Sequence, residues 1–249
     1  MAGHSKFKNI MHRKGAQDKK RAKLFSRLIR EITVASKIGG EDPDSNPRLR
    51  SAINNALSSN MSKENIKKAI KKNNSSSEAD QITEIIYEGF GPCGVAIIVE
   101  SLTDNKNRSA SEIRSTFSKY NGNLGISGCV KHNFNKIGTI LYPKKIESFD
   151  KFFDFSASLN VKDILENDDF YEVITDPEFF HDVISNLEKK YSLPKFSSIE
   201  WRPETSIDVN DEDNAKKLIT LLDKLEDLDD VQNVISNFNI ADELMDKLI

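Results

Sequence analysis

Positive and negative charges are segregated along this chain, and this segregation constrains its fold more than any other feature of the sequence. Residues 1–72 contain 18 Lys or Arg and 6 Asp or Glu, a net charge of +12, whereas residues 73–249 carry −15. The whole chain therefore has a net charge of only −3. Because a region of +12 repels itself, we expect the basic part to be a separate domain with a polyanionic partner.

The break in charge coincides with a polar segment, KKNNSSSEADQ, at residues 71–81. Asn and Ser favour turns and contribute little to a core, so this segment is typical of a linker. We therefore predict a basic helical domain at residues 1–76. Two shorter helices are expected in it after the first long one, and Ser62 is placed to cap the last of them.

Residues 16–38 have the period of an amphipathic helix, which we expect to end at Gly39-Gly40. One face of this helix is apolar, and basic residues form a stripe along the other face. The stripe consists of Lys19, Lys23, Arg27 and Arg30 and rises about 16 Å along the helix. Val34 falls in line with the stripe, just past its end.

A basic arm precedes this helix, and together they predict a surface that contacts nucleic-acid phosphates. The predicted contacts are His4, Lys6, Lys8, His12, Arg13, Lys14, Lys19, Lys20, Lys23, Arg27 and Arg30. Phe7 and Arg108 are predicted as secondary contacts. For a single Lys-rich helix the alternative is a solvated face, but here the excess extends over a whole domain. An Arg-rich, acid-poor start is also typical of a mitochondrial transit peptide, yet it leads directly into a predicted ordered helix.

The acidic remainder alternates short predicted strands and helices, which indicates an α+β fold. Residues 137–202 have the order βαββαβ, the ferredoxin-like order. Residues 82–135 leave a sheet open, and the strand, helix and strand predicted at residues 205–249 can complete it. We therefore predict a discontinuous central domain, 82–135 plus 205–249, into which a ferredoxin-like domain at 136–204 is inserted.

Patterns that indicate catalysis or metal binding are weak. Gly122, Gly125 and Gly128 match GxxGxxG without the strand-then-helix context of a phosphate loop, so a turn is predicted. Ser109–Glu112 has the capping-box pattern of a helix start. The two cysteines form no CxxC pattern, and no nucleophile and base stand out as a pair. We predict no catalytic residues, no metal, no cofactor and no small-molecule substrate.

No run of 18 apolar residues is present, so no membrane span is predicted. The sparse cysteines fit a reducing compartment, and we expect the protein in the bacterial cytoplasm.

Several long segments, in order, resemble the YebC family. They are residues 1–72, YEGFGPCGVAIIVESLTDNKNR, NGNLGISG, VITDPEFF and LEDLDDVQNVISNF, and the resemblance covers essentially the whole chain. It implies three domains, the first helical and the other two α/β. Where the family commonly has Trp and Gly, this chain has Phe7 and Cys93. Phe7 keeps an aromatic surface but lacks the indole N–H donor.

The resemblance implies a regulator of gene expression. Bacterial members of the family are described as probable transcriptional regulators that bind DNA, a mitochondrial relative activates translation of a cytochrome oxidase subunit, and bacterial members have been tied to the ribosome and to relief of stalling on proline-rich sequences. The predicted partner is DNA or ribosomal RNA, with the ribosome as a further candidate. A second alternative is a protein-interaction adaptor without nucleic-acid binding. No helix-turn-helix pattern with a readable recognition helix is apparent from the sequence.

Overall fold

The computed structural model describes residues 17–71 and 82–248, with side chains from residue 22 onward in those ranges. By its contacts the chain divides into two compact units. The first contains residues up to 23, 77–135 and 202–249, and the second contains residues 24–76 and 136–201. Each unit therefore joins stretches that are far apart in the sequence. The boundaries of the three predicted domains stay a prediction.

Three helices come first: α1 (Gln17–Gly39), α2 (Pro47–Ser58) and α3 (Lys63–Lys71). Their apolar faces meet in a small core around Ile32, Leu49 and Ile66. Helix α1 ends at its glycines, as predicted, and Gly40 has a φ of 90°. This left-handed conformation is one that glycine adopts without a steric penalty.

The buried side chain of Asn46 joins the end of α1 to the start of α2. Its Oδ1 accepts a hydrogen bond from the Leu49 N–H (3.1 Å), which caps α2. Its Nδ2 donates to the carbonyls of Ala35 and Gly40, both at 2.8 Å. A Cβ at Gly39 would lie 2.6 Å from this amide, so glycine at position 39 permits the close approach.

The remainder of the described chain alternates strands and helices. These are β1 (Thr83–Phe90), β2 (Ala96–Thr103), α4 (Lys106–Lys119), β3 (Asn123–Leu124), β4 (Phe134–Pro143), α5 (Phe149–Ala157), β5 (Asp163–Glu166), β6 (Phe170–Thr175), α6 (Phe180–Tyr191), β7 (Phe196–Pro203), β8 (Ile207–Asp208), α7 (Glu212–Glu226), β9 (Val231–Ser236), β10 (Phe238–Asn239) and α8 (Asp242–Leu248). The fold class is α+β, which confirms the prediction.

Strands β4–β7 with helices α5 and α6 form the ferredoxin-like part. The strand order is β5-β6-β4-β7, and β6 is antiparallel to both β4 and β5. Alternate residues of these strands face the two helices, and Tyr142, Phe152 and Leu187 lie in the core between them. The predicted βαββαβ order is confirmed.

The other four-stranded sheet has the order β3-β1-β2-β9, and its neighbouring strands are antiparallel. Strand β9, near the C-terminus, thus completes a sheet that begins at Thr83. Helices α4 and α7 contribute Phe117 and Leu221 to the core with Ile97 of β2. Strands β8 and β10 form a separate parallel pair. The short strand β3 and the helix α8 were not predicted.

Helix α4 begins earlier than predicted. Its N-cap is Asn105, whose side chain accepts from the Arg108 N–H at 3.0 Å. Ser109, which the capping-box pattern placed at the start, lies inside the helix and is buried. Its Oγ donates to Asp230 Oδ2 at 2.6 Å. The pattern failed because this hydroxyl contacts a buried carboxylate from a distant part of the chain.

Candidate nucleic-acid interface

Most of the predicted contacts at the N-terminus lie outside the described residues. These are His4, Lys6, Phe7, Lys8, His12, Arg13 and Lys14. Lys19 and Lys20 belong to α1, but their side chains are outside the described part. Of the contacts predicted in α1, those with described side chains are Lys23, Arg27 and Arg30. Lysines elsewhere in the helical region are described as well.

The described part of the stripe is half-buried. The Lys23 side chain is 26% exposed, and its Nζ lies 3.5 Å from Oδ1 of Asp227. Arg27 and Arg30 are half-buried, and all three residues interact with other groups of the protein. Val34, in line with the stripe, is 2% exposed. The helical period correctly groups these residues on one face, but it does not show that other parts of the protein cover that face.

Helix α3 presents a row of exposed lysines that the site prediction did not include. Lys63, Lys67 and Lys71 are spaced i, i+4 and i+8, and all three are exposed. They lie on one face over about 12 Å of helix. The opposite face contributes Ile66 and Ala69 to the core. Like charges at this spacing repel each other, so an anion bound along the row would stabilise the helix.

Helix α2 uses polar side chains for hydrogen bonds to other elements of the protein. The Asn55 amide donates to the Ser197 carbonyl (2.9 Å) and accepts from the Ser197 N–H (3.2 Å). Asn54 Nδ2 donates to Glu188 Oε1 at 3.1 Å. At this contact burial raises the pKa of Glu188, while the positive charge of Arg50 acts in the opposite direction.

Arg48, at the start of α2, forms a bidentate contact with Glu31 of α1. Its Nε and Nη2 donate to the two carboxylate oxygens at 2.7 and 3.1 Å. The planar guanidinium matches a carboxylate in this way. Arg48 therefore fixes α2 against α1.

Arg108, the predicted secondary contact, is bound to two carboxylates. Its Nη2 donates to Asp230 Oδ2 at 2.9 Å and to Asp104 Oδ1 at 2.7 Å. These hydrogen bonds, the one to Asp230 first, raise the pKa of the guanidinium. The Asp230 side chain is 5% exposed and also accepts from Thr103 Oγ1 at 2.9 Å. The network fixes the start of α4 to the segment before β9, and a contact of Arg108 with nucleic acid stays a prediction.

The glycine-rich loop is built on a buried carboxylate. Glu88 accepts hydrogen bonds from the N–H groups of Gly128 (2.7 Å), Val130 (2.9 Å) and Lys131 (2.8 Å). Burial by itself raises the pKa of Glu88, but the three donors outweigh it, and the pKa lies below its ordinary value. These N–H groups bind a protein carboxylate, so this segment is a turn, as predicted, rather than a phosphate loop.

The described residues offer little to a metal ion. Within residues 22–71 and 82–248, no group of three or more His, Cys, Asp or Glu side chains is placed to hold a metal ion. In the same part of the chain, every helix is too short or too polar to span a bilayer.

Comparison with known proteins connects these features to a family. Residues 5–76 match the sequence model of the TACO1/YebC protein N-terminal domain, and residues 82–238 match that of the TACO1/YebC second and third domain. A probable transcriptional regulatory protein of Geobacter sulfurreducens is 48% identical over 249 residues, which cover 100% of both chains. One of Rickettsia bellii is 49% identical over 248 residues, covering 100% of this chain and 98% of that protein.

A solved structure agrees with these matches. The crystal structure of a conserved hypothetical protein from Aquifex aeolicus superposes with a TM-score of 0.82 at 45% sequence identity, and the match covers 90% of this chain and 93% of that one. The sequence identity of nearly one half along the full length and the matches to both family models show that this chain belongs to the YebC family.

Proposed function

We propose that this protein is a non-enzymatic regulator of gene expression that binds nucleic acid through its basic N-terminal region and acts in the bacterial cytoplasm. Its relatives in Geobacter sulfurreducens and Rickettsia bellii are named probable transcriptional regulatory proteins, and DNA is therefore the first candidate ligand.

The exposed lysine row of α3 is the observation that carries the proposal. Lys63, Lys67 and Lys71 project from one helix face within a region of net charge +12. Clustered lysines neutralise backbone phosphates and release their counterions, which makes affinity depend on salt. The contacts predicted at residues 4–30 belong to the same proposal.

A salt titration of binding tests the proposal. Binding of the full-length chain to a duplex DNA of mixed sequence is followed by fluorescence anisotropy between low and moderate salt. We expect log Kd to depend steeply on log salt. The triple variant K63A/K67A/K71A should bind more weakly and lose about 3 from the magnitude of the slope, because each lysine accounts for about one phosphate.

A matched triple variant controls for net charge. Lys106, Lys217 and Lys247 are exposed lysines on α4, α7 and α8, and K106A/K217A/K247A changes the net charge by the same amount. It should keep the wild-type slope. Equal losses in the two triple variants, or a slope near zero in the wild type, would contradict binding through α3. Failure of the wild type to bind DNA and RNA alike would favour a protein-interaction adaptor.

A translation factor is the second candidate, because lysine contacts to phosphates do not distinguish DNA from RNA. Ultraviolet crosslinking in growing cells, followed by sequencing of the attached nucleic acid, separates the two. Discrete promoter DNA with ribosomal RNA at background is the expected result for a transcriptional regulator. Ribosomal RNA clustered at one site would instead identify a translation factor.

A further inference from the structure

The basic stripe of α1 is engaged by other groups of the protein wherever its side chains are described. Lys23 is 26% exposed, and its Nζ lies 3.5 Å from Oδ1 of Asp227, at the end of α7. Arg27 and Arg30 are half-buried and also interact with other groups. The lysine row of α3, by contrast, is exposed. The two basic surfaces therefore differ in how directly a polyanion can reach them.

The end of α7 is acidic where the electrostatics of a helix disfavour negative charge. Glu226 is the last residue of α7, and Asp227 is its C-cap. Because the C-terminus of a helix carries a partial negative charge, carboxylates there cost stability unless cations compensate them. Two lysines approach Asp227: Lys23 lies at Oδ1, and Lys224 of the same helix lies 3.3 Å from Oδ2. Keeping Lys23 in place therefore stabilises the end of α7.

The ion pair of Lys23 with Asp227 competes with phosphate for one positive charge. A lysine strengthens nucleic-acid binding when it replaces a counterion of the phosphates, and a lysine that already neutralises a carboxylate must first leave it. The Asp227 side chain is 64% exposed. An ion pair as exposed as this is weak and is screened by salt, so a polyanion can displace it.

We propose that this contact is autoinhibitory: the acidic end of α7 holds Lys23 of α1 in the free protein, and a nucleic acid must displace Asp227 before α1 can bind phosphate. This inference rests on the proposed function, and it adds an order to the binding. The exposed lysines of α3 make the first contact, and α1 contributes only after Lys23 leaves α7.

The variant D227N tests this inference on the full-length chain, with fluorescence anisotropy on a duplex DNA of mixed sequence. It should lower Kd at low salt by about 1.5- to 5-fold, the range for one exposed ion pair. The plot of log Kd against log salt should steepen by about one, because Lys23 then replaces a counterion without first leaving a carboxylate. The gain in affinity should shrink at moderate salt.

Two further variants separate a specific contact from a general effect of charge. D213N removes an exposed carboxylate from the first turn of α7, about 21 Å along the helix from Asp227 and beyond the screening length at moderate salt. It changes the net charge by the same amount and should bind as the wild type does. In the K23A background, D227N should bring no gain, because the lysine that it would release is absent.

Amide exchange reports the displacement without relying on affinity. The N–H groups of Asp227 and Leu228 donate to the carbonyls of Asp223 and Leu225 at the end of α7. Saturating DNA should accelerate their exchange in the wild type, because Lys23 no longer compensates the helix end. Exchange at Ala215, near the start of α7, should not change. Unchanged exchange at Asp227 and Leu228 would show that Lys23 stays on α7 and has only a structural role.

The outcomes separate this inference from the proposed function. If D227N binds DNA with the affinity of the wild type, the autoinhibitory contact is wrong while nucleic-acid binding stands. It is also wrong if D213N tightens binding as much as D227N, or if D227N tightens binding equally in the K23A background. If neither the wild type nor D227N binds DNA or RNA, the proposed function fails as well.

Discussion

Glu88 shows how much one buried side chain can fix in this protein. Its carboxylate accepts hydrogen bonds from three backbone N–H groups of one loop. Cys129 Sγ would lie 2.4 Å from a Cβ at Gly125, so glycine there lets the loop close on itself. The conformation of residues 125–131 therefore depends on the charge of Glu88 and on glycine, which has no side chain, at position 125.

Replacing Glu88 with Gln should loosen this loop. Gln keeps the shape of Glu but offers a weaker acceptor and adds a donor, and we expect a cost of about 1–3 kcal/mol. Hydrogen exchange at the amides of Gly128, Val130 and Lys131 measures it. E112Q, an exposed carboxylate on α4, is the control. Unchanged protection in E88Q would show that the loop is held by other contacts.

The contribution of Glu88 also has a defined direction with pH. Because the pKa of Glu88 in the folded protein lies below its unfolded value, its stabilisation is present above the unfolded pKa and is lost as pH falls through the folded pKa. Acidification should therefore reduce the protection of the three amides in the wild type more than in E88Q, after correction for intrinsic exchange rates.

At the scale of elements, the turn between α2 and α3 determines where the lysine row points. Asn60 is left-handed, a conformation that Asn and Gly tolerate and β-branched residues do not. Met61 and Ile66 anchor the two sides of the turn in the core. A change in the turn should therefore displace α3 without altering any lysine.

N60V should destabilise this turn by about 1–2 kcal/mol, the cost of a β-branched residue in the left-handed region. N60G should be near neutral, because glycine adopts this conformation freely. Amide exchange of Met61 and Ile66 reports the effect locally. Equal effects of Val and Gly would indicate a role for the Asn side chain itself rather than for its backbone conformation.

At the scale of the whole molecule, the two contact units have separate cores. The first is built around Ile97 and Leu221, and the second contains the core of the ferredoxin-like part, around Phe152 and Leu187, together with that of the helical region. Because each unit joins distant stretches, α1 and the segments near residues 135 and 202 pass from one unit to the other. A single unfolding free energy is then not expected to describe the chain.

Leu221→Ala should weaken the first unit alone. Removing a fully buried Leu leaves a cavity, with an expected loss of about 2–5 kcal/mol. Exchange of β2 amides should accelerate, while that of β6 amides should not. Leu187→Ala is the reciprocal variant, with the opposite expectation. Acceleration in both units from either substitution would show that the chain unfolds as one cooperative body.

Local patterns predicted much of this protein. The hydrophobic period predicted the helices and strands, and Gly39-Gly40 predicted the end of α1. The βαββαβ order identified the ferredoxin-like part. Charge segregation marked the basic region, and motif content indicated the family. These features depend on residues within a few positions of each other, on the order of elements or on the distribution of charge along the chain, so the sequence alone carries them.

Tertiary structure alone decided the rest. It paired β2 with β9 and buried Val34, which lies in line with the stripe. It also placed the Ser109 hydroxyl in a hydrogen bond with Asp230, where the sequence had predicted a helix cap. It also placed Asn60 in the left-handed turn that presents the lysines of α3. Each of these outcomes depends on contacts between residues far apart in sequence or on which faces other elements cover. A helical period shows which side chains share a face, but the packing of the whole chain determines whether that face meets solvent or protein.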